Sequence, residues 1–445
     1  MTFPSYPKYK ASGFTWLGNV PEHWVLKRLG HYFDERRERA SDTEFEPLSV
    51  TKHGIVPRLE SATKTQDGDN RKKVLAGDFV INSRSDRKGS SGLSPLDGSV
   101  SLICTVLIPT GLYGPFIHHL FRSEPFQEEY YRWGKGIVAD LWSTNFSDMK
   151  NIVLGVPSET EQIQIARFLD HETARIDALI EEQQRLIELL KEKRQAIISH
   201  AVTKGLDPTV QMKDSGVEWL GEVPAHWVVA DLKWFWSVTD CKHITAEFVD
   251  DGTPLASIRE VQCRYVTLEN AKQTTEVFYR QLIEAGRKPV AGDLIFSRNA
   301  TVGEVAQVAD WHPPFAMGQD VCLLKKQFEW LSSDYLQAVL RSPVVTVQLD
   351  NLMIGSTFKR VNVEDIRGLV VPMPPVDEQQ QIAEYLNSEA GLFDSLLSEC
   401  KVMIGLLQER RSALISAAVT GKIDVRGWRP PARTQAPKFE VAEAV

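Results

Sequence analysis

Cysteine is scarce in this sequence. The 445 residues contain five cysteines, which are odd in number, widely separated and never arranged as C-x-x-C. This pattern excludes a disulfide framework and a zinc site built from cysteine pairs, and it is typical of a protein in a reducing compartment. We therefore expect the chain to bind no metal ion.

Long apolar runs and catalytic signatures are lacking as well. The most apolar stretch, 102–109, is much shorter than the ~20 residues of a membrane-spanning helix. The N-terminal segment has no apolar signal-peptide core, so a cytoplasmic location is expected. The motifs G-x-x-x-x-G-K-[ST], G-x-G-x-x-G, H-E-x-x-H and G-x-S-x-G are absent. The sequence therefore predicts no catalytic residue and no cofactor bound by this chain.

One segment, Trp311–Phe315, is similar to the N-P-P-[FY] motif of amino-methyltransferases, since it reads WHPPF. In this segment His312 replaces the Asn or Asp that accepts the hydrogens of the target amine. No glycine-rich cofactor loop accompanies it, so we interpret the segment as a turn.

An overall excess of basic charge is also missing. The chain has 51 Lys and Arg against 59 Asp and Glu, a formal net charge of −8. Such a balance is unlike that of a protein that coats nucleic acid without selectivity. Any binding to a polyanion must therefore come from local patches.

The sequence does contain an internal duplication. Residues Lys10–Trp24 read KASGFTWLGNVPEHW, and Lys213–Trp227 read KDSGVEWLGEVPAHW; we call these the first and second box. The segments Pro157–Thr203 and Pro374–Thr420 also align with each other without gaps. A repeat of this kind indicates two copies of one structural unit.

The two long segments are predicted to be paired helices. They lack internal proline and are rich in Glu, Gln, Leu, Ile, Lys and Arg, with helix starts near Pro157 and Pro374 and stops at Gly205 and Gly421. Their apolar residues share one heptad phase, which predicts an antiparallel coiled coil rather than two separate amphipathic helices. The predicted helix-pairing residues are Leu169, Ile176, Leu190, Ile197, Leu386, Phe393, Leu407 and Leu414.

The order of the segments predicts a circular arrangement with approximate two-fold symmetry. The first helix runs into the second box, whereas the box that would follow the second helix stands at the N-terminus. The expected fold class is α+β, with two α/β domains joined by the two long helices. The predicted segments are 1–156 (box and first domain), 157–204 (helix), 205–373 (linker, box and second domain), 374–421 (helix) and 422–445 (flexible tail).

Basic and polar residues concentrate at predicted turns of both domains. Such side chains suit contacts to phosphates and base edges, although a solvated surface is the alternative for any single cluster. The candidate DNA-binding residues are Arg71, Lys72, Lys73, Ser83, Arg84, Arg87, Lys88, Lys135, Arg298, Asn299, Thr301, Thr357, Lys359 and Arg360.

The aromatic residues of the boxes are predicted to be structural. Two copies of a rigid W-L-G-x-V-P turn fit a plug between helix and domain better than a platform for stacking bases. This interpretation covers Trp16, Trp24, Trp219, Trp227 and the histidines His23 and His226.

Together these features resemble the specificity subunits of type I restriction-modification enzymes. The resemblance rests on the two boxes, on the PPVDEQQQIA sequence of Pro374–Ala383, and on the order of box, domain and helix along nearly the whole chain. It implies two target-recognition domains, each reading one half of a bipartite double-stranded DNA site, with the helices fixing the gap. It further implies two modification (methyltransferase) subunits carrying S-adenosylmethionine, and restriction subunits (translocase and nuclease) using ATP and Mg²⁺. The chain itself would direct methylation and cleavage without catalysing either.

Two other hypotheses remain open at this stage. The chain could be a coiled-coil adaptor whose domains bind proteins without DNA, or a self-sufficient enzyme with a site of unfamiliar type. Duplex binding distinguishes the first of these from a DNA-reading subunit, and an assay of the isolated chain for methyl transfer or cleavage tests the second.

Overall fold

The chain folds into two compact units. The computed structural model describes residues 3–52, 54–59, 70–84, 87–136, 142–353 and 360–431. Unit 1 comprises Met1–Gln184 and Lys401–Val445, and unit 2 comprises Arg185–Cys400. Unit 1 thus combines both ends of the sequence, which is the predicted circular order.

The first part of the chain consists of short strands followed by helices. The strands are β1 (Tyr9–Ala11), β2 (Asn19–Pro21), β3 (Val25–Arg28), β4 (Phe33–Glu35), β5 (Arg39–Ala40), β6 (Leu48–Thr51), β7 (Gly54–Pro57), β8 (Arg71–Val74), β9 (Phe79–Asn82), β10 (Ser91–Leu93), β11 (Gly98–Val100), β12 (Cys104–Pro109) and β13 (Val153–Val156). The helices are α1 (Gly114–Arg122), α2 (Glu124–Arg132), α3 (Phe146–Met149) and the long α4 (Glu159–Lys204).

A four-stranded antiparallel sheet, ordered β10-β9-β12-β4, is the centre of the first domain. Strand β9 is buried on both faces: Phe79 and Ile81 pack in the core that contains α1 and α2. Val80 points to the other face, where it joins a smaller core with Val74 and Val100. Because successive side chains of β9 point to opposite faces, the strand contributes to both apolar cores.

The second part of the chain repeats this plan. The strands are β14 (Met212–Asp214), β15 (Glu222–Pro224), β16 (Val228–Asp231), β17 (Trp236–Asp240), β18 (Phe248–Val249), β19 (Thr253–Ala256), β20 (Gln273–Thr274), β21 (Leu294–Ser297), β22 (Val305–Gln307), β23 (Ala316–Met317), β24 (Val321–Lys326) and β25 (Val370–Met373). The helices are α5 (Glu276–Leu282), α6 (Ser333–Leu340), α7 (Pro343–Leu352), α8 (Val363–Arg367) and the long α9 (Val376–Val419).

The sheet order of the second domain matches that of the first. Its central sheet is β17-β24-β21-β22, and the sheet β4-β12-β9-β10 of the first domain has the same chain order. The pairs β14–β15 and β16–β25 likewise correspond to β1–β2 and β3–β13. The duplication read from the boxes and helices therefore extends to the domains between them, where little sequence similarity remains.

The long helices pack together within unit 1. Leu169 and Ile176 of α4 share one core with Leu414 of α9, and Leu407 packs at its margin. Gln164 Nε2 donates to the carbonyl of Val425, whereas Asp177, farther along α4, meets Arg411. The two helices are therefore antiparallel in this unit.

The same pairing occurs within unit 2. Leu386 is buried in the core that contains the end of α4, and Ile197 packs against that core. Phe393 is also buried, and Arg194 Nη1 lies 2.7 Å from Asp394 Oδ1. The remaining predicted pairing residue, Leu190, is half-buried.

Both long helices end as predicted, each at a glycine with a left-handed backbone. The φ angles are +75° at Gly205 and +71° at Gly421, which is a conformation that glycine adopts without strain. The segment after Gly421 is packed rather than flexible at its start. Val425 is fully buried, and the Trp428 ring centre lies 5.3 Å from that of Phe168. The expectation of a flexible tail from residue 422 is therefore wrong up to residue 428, and 432–445 lie outside the described residues.

Candidate nucleic-acid interface

Each box fixes a domain to the start of a long helix through one glutamate. In unit 1 the buried Trp24 donates from Nε1 to Glu161 at 3.0 Å, and His23 Nε2 lies 2.8 Å from the same carboxylate. In unit 2 Trp227 and His226 contact Glu378 in the same way, at 2.8 and 2.6 Å. The predicted structural role of these aromatic residues is thus confirmed for both copies.

A buried glutamine next to each glutamate ties the helix to the domain. Gln162 accepts from the backbone N–H of Tyr113 at 2.9 Å, and Gln379 accepts from that of Ser332 at the same distance. The amide nitrogens of both glutamines donate to the carbonyl of the proline five residues earlier. The repeated Glu-Gln pair therefore positions each domain relative to its helix.

In unit 2 the structure brings together two candidate clusters that are far apart in sequence. The turn after β21 contains Asn299, which forms a β-bridge with Arg360. The Arg360 guanidinium is exposed and lies 3.8 Å from the Asp320 carboxylate. Thr301 contacts Ser297 within the same turn. A continuous polar surface is thereby formed from the turn after β21 and the residues before α8.

Arg298 does not have the exposed position that the sequence predicted. Its side chain is 5% exposed, donates to the carbonyl of Val361 at 3.3 Å and forms an ion pair with Asp240. Burial acts to raise the pKa of Asp240, but hydrogen bonds and charge from Arg298 and His243 outweigh it and lower the pKa. Arg298 therefore holds the two segments of this surface together from inside.

Backbone strain is concentrated at this surface. Ala300 and Asp320 have φ angles of +56° and +64°, and Ala285 is the only other non-glycine residue with positive φ in the described part of the chain. L-residues rarely adopt this conformation, which costs of order 1–2 kcal/mol. The carbonyl of Asp320 accepts from the Arg298 N–H at 2.8 Å. The strained positions thus flank the turn that carries Asn299.

Unit 1 has the equivalent turn after β9. Arg84 forms a β-bridge with Ser143, as Asn299 does with Arg360, and Lys135 bridges Ser143 as well. The N–H of Ser83 donates to the carbonyl of Ile103 at 3.2 Å. Farther along this turn Arg87 and Lys88 are exposed, and Lys88 forms an ion pair with Glu128.

The cluster Arg71–Lys73 forms strand β8 rather than an exposed turn. Arg71 is 6% exposed, and its guanidinium donates to Ser99 Oγ at 2.8 Å. Burial lowers the pKa of Arg71. Lys72 is half-buried, and its ammonium group donates to the carbonyl of Cys104. Lys73 is half-buried and lies 3.2 Å from the carboxylate of Glu38. The prediction of exposure is therefore wrong for Arg71, whose side chain supports the sheet.

Two further candidates, Thr357 and Lys359, lie outside the described residues.

The sequence did not reveal a cleft of about 450 Å³ in unit 2. Its lining includes Arg259, Asn270 and Gln319, all exposed, and Gln319 precedes the strained Asp320. The Lys272 ammonium lies 4.2 Å from the centre of the exposed Phe248 ring at the same cleft. These side chains come from separate loops, so no local sequence pattern connects them. Arg, Asn and Gln are the residue types that read base edges.

One group of potential metal ligands occurs in the described part of the chain. Oxygen, sulfur and nitrogen atoms of Asp240, Cys241 and His243 lie within 4.8 Å of one another. The Asp240 carboxylate is already paired with Arg298, and burial raises the pKa of Cys241, so the thiol is protonated at neutral pH. Asp240 therefore belongs to an ion-pair network with Arg298 and with His243, whose Nε2 lies 3.3 Å from its carboxylate.

The Trp311–Phe315 segment is a turn, as interpreted from the sequence. His312 Nδ1 accepts from the Ala309 N–H at 2.9 Å, and Nε2 lies 2.8 Å from the carbonyl of Val266. Both ring nitrogens are thus used to hold the turn.

Comparison with known proteins reveals similarity to one class of DNA-recognition subunit. The sequence profile of the "Type I restriction modification DNA specificity domain" matches residues 262–389. The type I restriction enzyme MjaVIII specificity subunit of Methanocaldococcus jannaschii is 23% identical over 426 residues, which cover 92% of this chain and 94% of that protein. The EcoKI specificity subunit of Escherichia coli is 23% identical over 441 residues, covering 93% and 91%.

Solved structures share the fold. A chain from a study of "complex assembly" and "conformational transition of the type I R-M system" has a TM-score of 0.68 at 16% identity, covering 91% of this chain and 99% of that chain. The HsdS subunit of Thermoanaerobacter tengcongensis has a TM-score of 0.51 at 17% identity, covering 91% and 98%. Among the described residues, no helix combines the length and apolar character needed to cross a membrane.

Proposed function

Because the chain belongs to the specificity subunits of type I restriction-modification enzymes, we propose that its two domains each read one half of a bipartite DNA site. Its role is to select the sequence, and it is not itself the enzyme. The recognition domains are proposed to lie in 1–156 and 205–373, and the long helices to set the gap between the two half-sites.

The observation that carries this proposal is the equivalence of the turns after β9 and β21. Arg84 and Asn299 follow corresponding strands, and each is bridged to the segment before a short helix. Two copies of one polar turn suit a ligand with two half-sites. We assign phosphate contacts to Arg84, Lys135 and Arg360, since Arg and Lys commonly bind phosphates.

Base reading in the second half-site is assigned to the cleft beside this turn. Asn270 and Gln319 carry amide groups that can pair with adenine edges, and Arg259 can pair with guanine. Their exposure and their position next to Asp320 support the assignment. Phosphate contacts then fix the register in which these side chains meet the bases.

The proposed partners supply the chemistry. Two modification subunits with S-adenosylmethionine are assigned to the long helices, and restriction subunits that use ATP and Mg²⁺ complete the nuclease. The chain contributes the choice of site to both activities.

The test is binding of the chain, purified with its partner subunits, to duplexes that contain or lack each half-site. Loss of either half should weaken binding by several kcal/mol. Equal retention on all sequences would contradict the proposal, and capture of a protein partner with no duplex binding would support the adaptor alternative.

Variants separate the two kinds of contact. We expect Arg360→Gln to weaken binding to all sequences and to reduce the salt slope by about one. In contrast, Gln319→Ala should relax the preference at one base pair. The matched control is Arg280→Gln, because Arg280 is exposed on α5 and paired with Glu276 in the same helix.

A further inference from the structure

A polar cavity of about 540 Å³ lies within unit 1, and its lining includes Lys88 and Gly89 from the turn after β9 that also carries Arg84. Its walls come from the end of α1, from α4 and from the α9 residues of the same unit. The cations at its lining are Arg122, Arg411, Lys52 and Lys88. We call it the Arg122 cavity.

Arg122 lacks a carboxylate partner among the residues that the structure describes. Its guanidinium donates to His118 Nε2 at 2.8 Å and to the carbonyl oxygen of Lys52, and no salt bridge joins it to the described acidic residues. Burial and the nearby Arg411 lower the pKa of Arg122. Arg122 is half-buried, and Asp177 acts to raise its pKa without forming an ion pair with it, so the desolvation of its charge is only partly offset.

The other charged groups of the cavity are already paired. Arg411 lies 2.8 and 3.2 Å from the two carboxylate oxygens of Asp177. His119 is 2.7 Å from Asp170, and Lys88 is paired with Glu128. The Asp170 and Asp177 carboxylates therefore have their own partners. What remains is the positive charge of Arg122, together with the exposed Lys52.

Unit 2 contains the same arrangement with an internal counterion. Arg341 directly follows α6 and Arg122 is the last residue of α1, and each is followed by serine. The Arg341 guanidinium lies 3.3 Å from Glu304 and also donates to the carbonyls of Val305 and Cys263. The cavity beside Arg341 has a volume of only about 130 Å³.

Two further positions can be compared between the units. The helical pair Arg411–Asp177 of unit 1 corresponds to Arg194–Asp394 in unit 2. At the position before β22, where unit 2 has Glu304, unit 1 has Ser90 before β10. The cavity beside Arg341 in unit 2 is therefore small and contains the counterion Glu304. The Arg122 cavity of unit 1 is larger, and no described acidic residue forms an ion pair with Arg122.

We propose that the Arg122 cavity binds a small phosphate monoester, with Arg122 and Lys52 as the cations that hold the phosphate. A planar guanidinium binds two phosphate oxygens at once, and the charge-assisted bonds would replace the missing counterion. The volume is in the ordinary range for pockets that enclose small molecules. The cavity shares Lys88 with the candidate DNA-binding residues, but the proposal rests on Arg122 and Lys52 and does not require DNA binding.

A DNA backbone also presents phosphate groups, so the experiment compares free phosphates with DNA as ligands of the cavity. The full-length chain is titrated by calorimetry with inorganic phosphate, adenosine 5′-monophosphate, adenosine and a short duplex, at constant ionic strength. The two free phosphates should bind and adenosine should not. If Arg122→Gln affects only duplex binding and neither free phosphate binds, the proposal is overturned and the cavity belongs to the DNA interface.

Substitutions of the two proposed cations test whether phosphate binds in the Arg122 cavity. Arg122→Gln should weaken phosphate binding at least about tenfold, whereas the matched Arg341→Gln should leave it unchanged. If Arg122→Gln fails to fold, Lys52→Ala decides, because Lys52 is exposed. An affinity that stays unchanged in Lys52→Ala and in any folded Arg122→Gln protein contradicts the proposal.

Discussion

Glu161 is the residue on which the first box converges. Its carboxylate accepts from the indole of Trp24, the hydroxyl of Tyr6 and the imidazole of His23, and its side chain is 4% exposed. Burial and the Glu161 carboxylate together raise the pKa of Tyr6 well above its ordinary value, so the phenol stays a donor. A single buried acceptor thus joins three parts of unit 1.

Replacing this acceptor should destabilise the protein. In Glu161→Gln, the negative charge is lost and a single amide oxygen remains to accept from Trp24, Tyr6 and His23, so at least one of the three hydrogen bonds is weakened or lost. We expect a loss of about 1–3 kcal/mol in the free energy of unfolding, measured by urea unfolding. The control is Glu159→Gln, because Glu159 is exposed in the same helical turn.

The second copy provides a graded comparison. Glu378 accepts the equivalent indole and imidazole bonds, but its side chain is 34% exposed. Water can partly satisfy donors there, so Glu378→Gln should be less destabilising than Glu161→Gln. Equal effects of the two variants would argue against burial as the cause.

His118 gives the protein a specific pH dependence. Burial lowers the pKa of His118 to about 4, helped by Arg122, His119 and Arg411 and opposed by Asp170. The imidazole is therefore neutral in the folded protein at neutral pH. In the unfolded chain, the pKa of a histidine is about 6.5.

Between these two pKa values the unfolded chain binds a proton that the folded protein does not bind. Stability due to His118 is therefore present above pH ~6.5 and is lost as the pH falls towards 4. Glutamine, which unit 2 has at the corresponding Gln337, does not titrate. The unfolding midpoint of His118→Gln relative to wild type should be higher at pH 5 than at pH 7.5.

The exposed His200 on α4 is the control for this prediction. His200→Gln makes the same substitution at an exposed position of the same protein. The account of His118 is wrong if the two variants respond to pH in the same way.

At the residue scale, sequence patterns identified the box residues but not the burial of single cations. Trp24 and Trp227 belong to repeated motifs, and repetition indicated a shared structural role. Arg71 and Arg298 look like ordinary members of basic clusters. Their burial depends on Ser99 and Asp240, which are distant in sequence, so no local pattern could reveal it.

The ends of the long helices are constrained by packing as well as by backbone conformation. A Cβ atom added at Gly421 would overlap Cδ of Pro21 and lie 3.1 Å from Cη2 of Trp24. At Gly205 the nearest atom would be Cζ2 of Trp227 at 3.3 Å. Both positions also have positive φ.

Alanine at these positions should therefore destabilise the protein to different degrees. We expect Gly421→Ala to cost more than the roughly 1–2 kcal/mol of a left-handed non-glycine residue, and Gly205→Ala to cost about that amount. The control Gly405→Ala lies inside α9, where a Cβ atom meets nothing within 4 Å. It should stabilise the helix by about 0.5–1 kcal/mol. Thermal unfolding of the three variants tests this order.

At the element scale, the long helices could be predicted closely because their signals are local. The segments 157–204 and 374–421 contain the observed helices Glu159–Lys204 and Val376–Val419. Strand order in the domains could not be predicted in this way. The pairing of β9 with β12 and β10 depends on contacts between separate segments, for which the sequence carries only weak alternation.

At the scale of the whole molecule, the boxes and helices indicated the duplication correctly. The circular order also followed from the sequence alone, since unit 1 contains both Met1–Gln184 and Lys401–Val445. The differences between the copies were not predictable. Ser90 stands where the second copy has Glu304, the partner of Arg341, and only the folded positions make that correspondence visible.

The proposed gap-setting role of α4 and α9 predicts how a longer helix pair changes the target. Seven residues added to each helix, near 184 and 401, extend the pair by about 10.5 Å, or about three base pairs of B-DNA. The heptad phase of the apolar residues is retained.

The most direct measurement is a methylation map of the DNA of a host that supplies the partner subunits, with the wild-type chain and with the lengthened chain. The account predicts a bipartite motif whose gap grows by about three base pairs while both half-sites stay the same. A continuous motif, or a gap that does not change with the helices, would contradict it.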